Sequence, residues 1–156
     1  MHTVRLATVD DAPAAARLLH DFNTEFGSPT PGPAVLERRL RELLAEETTL
    51  AWVGGDPAVG IALVTLRTNV WYDGPVALLD ELYVAPDWRG RGVGSAMIGA
   101  LLTRAGSKNW GLVEINVDEF DHDARRFYER HGFASTEPGS DERALYYSRE
   151  PGSGGD

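Results

Sequence analysis

Three glycines and two arginines lie close together where an apolar strand-like run, Val76 to Val84, meets a helix-like run, Ser95 to Arg104. The joining segment, residues 84–95, reads Val-Ala-Pro-Asp-Trp-Arg-Gly-Arg-Gly-Val-Gly-Ser. A glycine loop that opens a helix presents several backbone N–H groups in one direction, and the helix dipole adds partial positive charge there. The segment therefore predicts a phosphate site, to which both arginines can add charge-assisted hydrogen bonds.

The glycine spacing discriminates between ligand classes. A P-loop requires the string GxxxxGK[ST], which the sequence does not contain, and a dinucleotide-binding loop requires GxGxxG. Gly90 and Gly92 begin the second pattern, but Ser95 stands where its third glycine would be. A glycine-rich turn that only caps an ordinary helix is the alternative to a ligand site.

A third pattern, Arg-x-x-Gly-x-Gly, fits Arg89, Gly92 and Gly94, with Val84-x-Pro86 just before it. It resembles the acetyl-CoA-binding motif of the GNAT superfamily of N-acetyltransferases. The resemblance implies that backbone N–H groups of the loop hold the CoA pyrophosphate, and that the main chain at the end of the preceding strand pairs with the pantetheine arm. The residues implied to bind the cofactor here are Leu82, Tyr83, Val84, Arg89, Gly90, Arg91, Gly92, Val93, Gly94 and Ser95.

A second segment, residues 122–133, supports the same resemblance. Its apolar and aromatic residues Ala124, Phe127 and Tyr128 fall on one face of a predicted helix that ends at Gly132. The string resembles the Phe-Tyr-Glu-x-x-Gly-Phe segment of GNAT proteins. The resemblance implies that Tyr128 is the general acid for the leaving CoA thiolate, because a phenol with a pKa of about 10 is protonated at neutral pH. A core tyrosine is the alternative.

The residue before this helix departs from the family pattern. GNAT proteins often have an asparagine there that contacts the cofactor, whereas this chain has Asp121. An ionised carboxylate donates no hydrogen bond and repels the phosphates of CoA. By position Asp121 is a cofactor-binding candidate, with helix capping as the alternative.

Two adjacent carboxylates, Asp80 and Glu81, lie shortly before Val84. Amines with a pKa of about 10.4 are protonated at neutral pH and must lose a proton before they attack a thioester, so a base is needed. Side chains alternate along a strand, so we expect these two to face opposite sides and only one to face the acetyl group. The resemblance to the acidic pair of polyamine acetyltransferases favours Asp80 as base and Glu81 for substrate binding. Solvated residues without a catalytic role are the alternative.

Aromatic and acidic side chains also occur together at Trp71, Tyr72 and Asp73. Such a cluster suits a cation through π contacts and charge. A similar stretch occurs at this place in diamine acetyltransferases, which implies substrate binding. A loop stabilised by aromatic packing is the alternative.

Composition favours one acidic domain. The chain has 156 residues, no cysteine and a net charge of −9. The negative charge disfavours nucleic acid as a partner, and no apolar run reaches the roughly 18 residues of a membrane span. The lack of cysteine and of a signal-peptide pattern favours a cytoplasmic location. None of the four histidines has metal-ligand spacing, so no metal is expected.

The predicted element order is β-α-α-β-β-β-α-β-α-β-β, an α+β arrangement that resembles the GNAT fold. That fold implies a mixed sheet of about seven strands and about four helices, with a splay between strands 76–84 and 112–117 that admits the pantetheine arm. A last hairpin is predicted over 133–137 and 144–148. We expect a single domain over 1–150 and a disordered tail over 151–156.

The expected function is acetyl-CoA-dependent transfer of an acetyl group directly to a primary amine of a small cationic substrate, in a ternary complex. Polyamines and aminoglycoside-like compounds are the expected acceptors. The lack of cysteine removes the commonest acyl-enzyme nucleophile. Two alternatives are an enzyme that acetylates proteins or peptides and a non-catalytic acyl-CoA-binding module. A homodimer is expected because most soluble oligomers are symmetric dimers.

Overall fold

The computed structural model describes residues 2–152, which form two compact units, residues 2–115 and residues 116–152. The first unit contains a five-stranded sheet in the order β1-β2-β3-β4-β5. Its strands are β1 (Val4–Leu6), β2 (Thr49–Gly54), β3 (Gly60–Arg67), β4 (Val76–Val84) and β5 (Leu112–Ile115). Strands β1 to β4 pair antiparallel and β5 is parallel to β4, so the sheet is mixed, as expected.

Three α-helices belong to this unit: α1 (Ala12–Glu25), α2 (Pro33–Leu44) and α3 (Val93–Ser107). Short 3-10 turns precede α1 at Val9–Asp11 and follow β4 at Pro86–Trp88. Helix α3 is the crossover that a parallel pair of strands requires between β4 and β5. None of the described helices is long and apolar enough to cross a membrane.

The helices cover both faces of the sheet. Helix α1 and Leu40 of α2 share a buried cluster with Val53 of β2 and Ile61 of β3. The next position along β2, Gly54, faces α3 instead, and a Cβ added there would lie 2.9 Å from Val93 Cγ1. Because adjacent strand residues point to opposite faces, α3 packs on the face opposite α1 and α2.

The second unit contains α4 (His122–Arg130), which is followed by the C-terminal glycine that the sequence predicts, Gly132. Gly132 has a φ of +88°, its N–H donates to Glu129 O at 3.0 Å, and Phe133 N–H donates to Tyr128 O at 3.1 Å. These two bonds form a Schellman motif, in which a glycine in the left-handed backbone conformation ends the helix.

The expected number of strands is wrong. Instead of a hairpin over 133–137 and 144–148, the second unit has an isolated bridge between Thr136 and Arg143. Leu145 and Tyr147 are 67% and 85% exposed, so the second segment buries no apolar face that would stabilise a strand. Strand β5 also ends at Ile115 and not at 117.

The single domain over 1–150 stays a prediction. Of the expected tail, Pro151 and Gly152 form an exposed turn, and residues 153–156 lie outside the described part of the chain.

The loop between β3 and β4 is fixed by one asparagine and one glycine. The Asn69 side chain accepts hydrogen bonds from the backbone N–H groups of Trp71 (2.9 Å) and Tyr72 (2.7 Å) and donates to Gly74 O (3.0 Å). A Cβ added at Gly74 would lie 1.8 Å from the backbone oxygen of Asn109. The loop therefore packs directly on the segment that leads from α3 into β5.

We expect Gly74→Ala to lower the free energy of unfolding by about 1–3 kcal/mol, the usual cost of overpacking, because a backbone atom cannot move aside as a side chain can. Gly99→Ala is the matched control, since a Cβ there meets nothing within 4 Å and lies on the exposed side of α3. Alanine at that position should be neutral or stabilising by up to about 1 kcal/mol. Urea unfolding measures both, and equal midpoints for the two variants would contradict the packing of this loop.

Candidate active site

The pairing of β4 changes at Asp80. Leu63 of β3 pairs with Glu81, but the next residue of β3, Val64, pairs with Leu79. Asp80 is therefore an extra residue, a β-bulge, on β4. Strand β5 pairs with β4 from Val76 to Leu79 and ends there. Within the described residues, the part of β4 from Asp80 to Val84 has no strand on its β5 side, as the expected splay requires.

The bulge places both carboxylates on one face of β4. The Thr65 hydroxyl donates a hydrogen bond to Asp80 Oδ2. Glu81 pairs with Leu63, which lies two residues from Thr65 on β3 and so on the same face. The expectation that Asp80 and Glu81 face opposite sides is wrong, because the extra residue interrupts the alternation of side chains.

The two carboxylates lie in different environments. Asp80 is exposed, whereas Glu81 is partly buried. Burial raises the pKa of Glu81, and the nearby charge of Asp80 raises it further. Both causes disfavour the ionised form. Glu81 thus has a higher proton affinity than an exposed glutamate, a property that strengthens a carboxylate as a general base.

The glycine loop leads directly into α3. Gly90 and Gly92 have φ values of +72° and +86°, a backbone conformation that favours glycine. The first helical hydrogen bond runs from Ala96 N–H to Gly92 O, 3.0 Å. The N–H groups of Val93 and Gly94 precede it and have no acceptor inside the helix. Gly94 and Ser95 stand in the first turn of α3, where the helix dipole is positive.

The structure leaves space beside this loop, where the expected pyrophosphate of CoA would bind. A Cβ added at Gly90 would meet nothing within 4 Å, and one at Gly92 would approach only His2, at 3.9 Å, so space is open beside the backbone. The buried side chain of Val93 anchors the start of α3. The Arg91 guanidinium lies 5.1 Å from the ring centre of Trp88 on an exposed part of the loop, where it adds positive charge.

The end of β4 offers an open edge to a ligand. Leu82, Tyr83 and Val84 pair with β3 on one side, and within the described residues no strand pairs with them on the other. A strand edge of this kind can pair with an extended ligand. The Arg89 side chain reaches back to this segment, with Nε donating to Val84 O at 2.9 Å.

The sequence did not indicate one contact at this place, that of Glu25, at the end of α1, with β4 and the glycine loop. Glu25 Oε1 accepts hydrogen bonds from the Tyr83 hydroxyl (3.0 Å) and from Arg89 Nη2 (2.8 Å). The hydrogen bond from Arg89 lowers the pKa of Glu25, and burial, followed by the bond to Glu25, raises the pKa of Tyr83 to about 12. No local sequence pattern signals a contact between residues 58 and 64 positions apart.

The aromatic–acidic cluster lies in the loop that precedes β4, at the opposite end of that strand from the glycine loop. Trp71 is 85% exposed, and Asp73 is exposed beside it. Tyr72 packs on Gly111, where an added Cβ would lie 2.3 Å from Tyr72 Cγ. The cluster therefore combines one fixed ring with one ring that is open to solvent.

The two predicted site residues of the second unit lie at and within α4. Asp121 Oδ1 accepts a hydrogen bond from Ala124 N–H at 3.1 Å, so Asp121 acts as the helix cap. Tyr128 is partly buried, and its ring packs edge-on against Phe127 and Phe133, with centroids 5.2 and 5.8 Å away. In the described residues, no group of three or more histidine and acidic side chains could hold a metal ion.

Comparison with known proteins agrees with this geometry. Residues 14–133 match the family described as the Acetyltransferase (GNAT) family. Over 152 residues the chain is 32% identical to aminoglycoside N(6′)-acetyltransferase type 1 of Stenotrophomonas maltophilia, a match that covers 93% of this chain and 91% of that protein.

Solved structures share the whole fold. A protein of Arthrobacter sp. FB24, described as a candidate acetyltransferase, has a TM-score of 0.89 at 53% identity, with 95% of both chains covered. An aminoglycoside acetyltransferase from an uncultured soil metagenomic sample, in complex with sisomicin, has a TM-score of 0.75 at 20% identity, with 96% of this chain and 97% of that chain covered, and shows the shared fold alone. The glycine loop, the parted strands and these matches together show that the chain belongs to the GNAT family of acetyltransferases, enzymes that use acetyl-CoA as co-substrate.

Proposed function

We propose that this enzyme transfers the acetyl group of acetyl-CoA directly to a primary amine of a small cationic substrate, in a ternary complex. The observation that carries the proposal is the pair of carboxylates, Asp80 and Glu81, on one face of β4 where β5 stops pairing. A pair of acidic groups can both bind a cationic amine and remove its proton. Acetyl-CoA supplies an activated acetyl group as a thioester.

The loop and the open edge of β4 account for cofactor binding. Backbone N–H groups from Gly90 to Ser95 bind the pyrophosphate, assisted by Arg91. The main chain from Leu82 to Val84 pairs with the pantetheine arm along the edge that β5 leaves open. Asp121 caps α4 by accepting a hydrogen bond from Ala124 N–H. The proposed cofactor site does not require a contact from Asp121.

For the base, the structure favours Glu81 over Asp80, the reverse of the preference from sequence. Partial burial and the raised pKa strengthen Glu81 as a proton acceptor. Asp80, held by the Thr65 hydroxyl, binds the substrate ammonium through charge. Tyr128 then donates a proton to the departing thiolate.

Aminoglycoside-like compounds, which carry several ammonium groups, are the leading acceptors, and polyamines are next. The activity named for the Stenotrophomonas relative supports this order. Trp71, Tyr72 and Asp73 provide a second place for a cation, through π contacts and charge. The net charge of −9 also attracts a polycation. A cytoplasmic location, a homodimer and a reaction without metal stay predictions.

The first test measures thiol release from acetyl-CoA with aminoglycosides, polyamines, amino acids and short peptides. We expect turnover with a polycationic amine, and a loss of kcat of about 100-fold or more in Tyr128→Phe, the usual effect of removing a general acid. Tyr146→Phe, at a tyrosine that is 73% exposed, is the control and should leave kcat unchanged. Turnover with peptides alone would instead favour a protein acetyltransferase, and binding of acetyl-CoA without any turnover would contradict the proposed reaction.

The pH profile tests the assignment of the base. Because the charge of Asp80 contributes to the raised pKa of Glu81, Asp80→Asn should shift the acidic limb of kcat/KM to lower pH. The shift should be partial, since burial, the larger cause, is unchanged. Asp10→Asn, in the exposed 3-10 turn before α1, removes the same charge elsewhere and should leave the limb in place. Were the limb lost entirely in Asp80→Asn but retained in Glu81→Gln, Asp80 would be the base.

Alanine substitutions at two glycines with a similar backbone conformation test whether the loop binds acetyl-CoA. Gly92 and Gly139 have φ values of +86° and +78°, and no atom within 3.8 Å of an added Cβ opposes either substitution. Alanine at both positions imposes a similar backbone cost of about 1–2 kcal/mol. We expect Gly92→Ala to weaken acetyl-CoA binding about tenfold or more, because 1.4 kcal/mol corresponds to tenfold in Kd, and Gly139→Ala to leave Kd unchanged. Equal affinities in calorimetry would exclude the loop as the pyrophosphate site.

A further inference from the structure

Glu25 connects two parts of the acetyl-CoA site that belong to different elements. A single oxygen, Oε1, accepts hydrogen bonds from the Tyr83 hydroxyl and from Arg89 Nη2. Tyr83 lies in the part of β4 with the open edge, and Arg89 lies at the entry to the glycine loop. One carboxylate at the end of α1 therefore holds strand and loop together.

Arg89 is oriented toward β4 and α1 by several contacts. Its Nε donates to Val84 O at 2.9 Å, and its guanidinium carbon lies 5.4 Å from the centre of the Tyr83 ring. Its backbone N–H donates to Pro86 O at 3.2 Å. Both the side chain and the main chain of Arg89 thus participate in fixing the start of the loop, whereas the pattern in the sequence implied a phosphate ligand.

Tyr83, which donates to Glu25, is itself held in place by packing. It is 5% exposed, and its ring stacks on Phe22 of α1 with centroids 5.0 Å apart and planes 13° from parallel. Phe22 and Glu25 are three residues apart on α1 and so lie on the same side of the helix. Helix α1 therefore contacts Tyr83 through both its ring and its hydroxyl.

The loop beyond Arg89 has few contacts, namely a hydrogen bond between His2 Nε2 and Arg91 O and the packing of the Arg91 guanidinium on Trp88. A Cβ added at Gly90 or Gly92 would have open space around it. Both residues have positive φ values, and a glycine changes readily from such a conformation to another. His2 contacts the middle of the loop, and the loop is also fixed at its two ends, by the side-chain contacts of Arg89 and by the buried first turn of α3. We propose that Glu25 is a positioning residue for acetyl-CoA, which holds Arg89 against the end of β4 and so keeps the glycine loop in the conformation that binds pyrophosphate.

Glu25→Gln tests this role by calorimetric titration with acetyl-CoA. The variant keeps the shape of the side chain and removes the charge that binds Arg89. We expect Kd to rise about fivefold, the ratio that corresponds to a partly exposed ion pair of about 1 kcal/mol. Glu37→Gln is the matched control, because Glu37 also accepts from an arginine, Arg41, but within α2. An unchanged Kd in Glu25→Gln would overturn the proposal.

A double-mutant cycle separates positioning from a direct contact. If Glu25 acts through Arg89, the variant with both Glu25→Gln and Arg89→Gln should bind acetyl-CoA no more weakly than Arg89→Gln alone. If the two losses multiply, Arg89 acts on the cofactor independently of Glu25 and the proposal is wrong. Tyr83→Phe is a further variant in case Glu25→Gln does not fold. It removes the hydrogen bond from Tyr83 to Glu25 Oε1 and keeps the ring stacking, and it should also weaken acetyl-CoA binding.

This inference rests on the proposed acetyl-CoA site, but it does not depend on the identity of the amine or on turnover. Failure of the unmodified chain to bind acetyl-CoA would overturn both the proposed function and the role of Glu25. Tight binding that is equal in the unmodified chain and in Glu25→Gln would overturn only the role of Glu25. Binding without transfer to any amine would contradict only the proposed reaction.

Discussion

The extra residue at Asp80 in β4 is the constraint on which the geometry of the site depends. In a regular strand, neighbouring side chains point to opposite faces, so a single face receives one carboxylate of an adjacent pair. The bulge brings Asp80 and Glu81 to the same face, and the pairing with β5 ends at the residue before it. From that point the backbone of β4 is open to an extended ligand. A single irregularity thus accounts for both the acidic pair and the open edge.

The position of the glycine loop depends on a second constraint, the close approach of α3 to the sheet. Gly54 and Gly60 lie opposite Val93 and Met97, and an added Cβ would lie 2.9 Å from Val93 at Gly54 and 2.8 Å from Met97 at Gly60. Val93 and Met97 are fully buried, so their place is determined by dense packing. Because Val93 is the first residue of α3, the packing that stabilises the core also fixes the direction of the N–H groups at the start of the helix.

The sequence predicted those features that depend on neighbouring residues. The bounds of β4, Val76–Val84, agree with an apolar run between two prolines, and Gly132 ends α4 through the motif that glycine favours. The family followed from Arg89, Gly92 and Gly94. Other features depend on residues that are distant in sequence. The bulge at Asp80 is set by pairing with β3, so the alternation of side chains gave the wrong faces for its two carboxylates.

The contacts of Glu25 with Tyr83 and Arg89 could not be predicted from the sequence either. They join residues that are 58 and 64 positions apart, and no spacing rule connects residues so distant. The two missing strands have a related explanation. β-prone residues form a strand only where a partner and a buried face exist, and the segment 144–148 leaves Leu145 and Tyr147 in solvent.

The net charge has opposite effects on acetyl-CoA and on the proposed polycationic amine, and the short range of charge interactions in salt resolves this conflict. A net charge of −9 attracts a polycationic amine but opposes CoA, whose phosphates are anionic. At physiological ionic strength, charges that are further apart than about 8 Å are largely screened, so the overall charge acts weakly on a bound pyrophosphate. The hydrogen-bond donors that we propose contact the pyrophosphate directly, the N–H groups of the loop and Arg91, are not screened in this way. Binding of pyrophosphate by the loop therefore depends more on local hydrogen-bond donors in a fixed conformation than on a basic protein surface. An acidic enzyme can bind both an anion and a cation because different groups of the protein recognise each of them at short range.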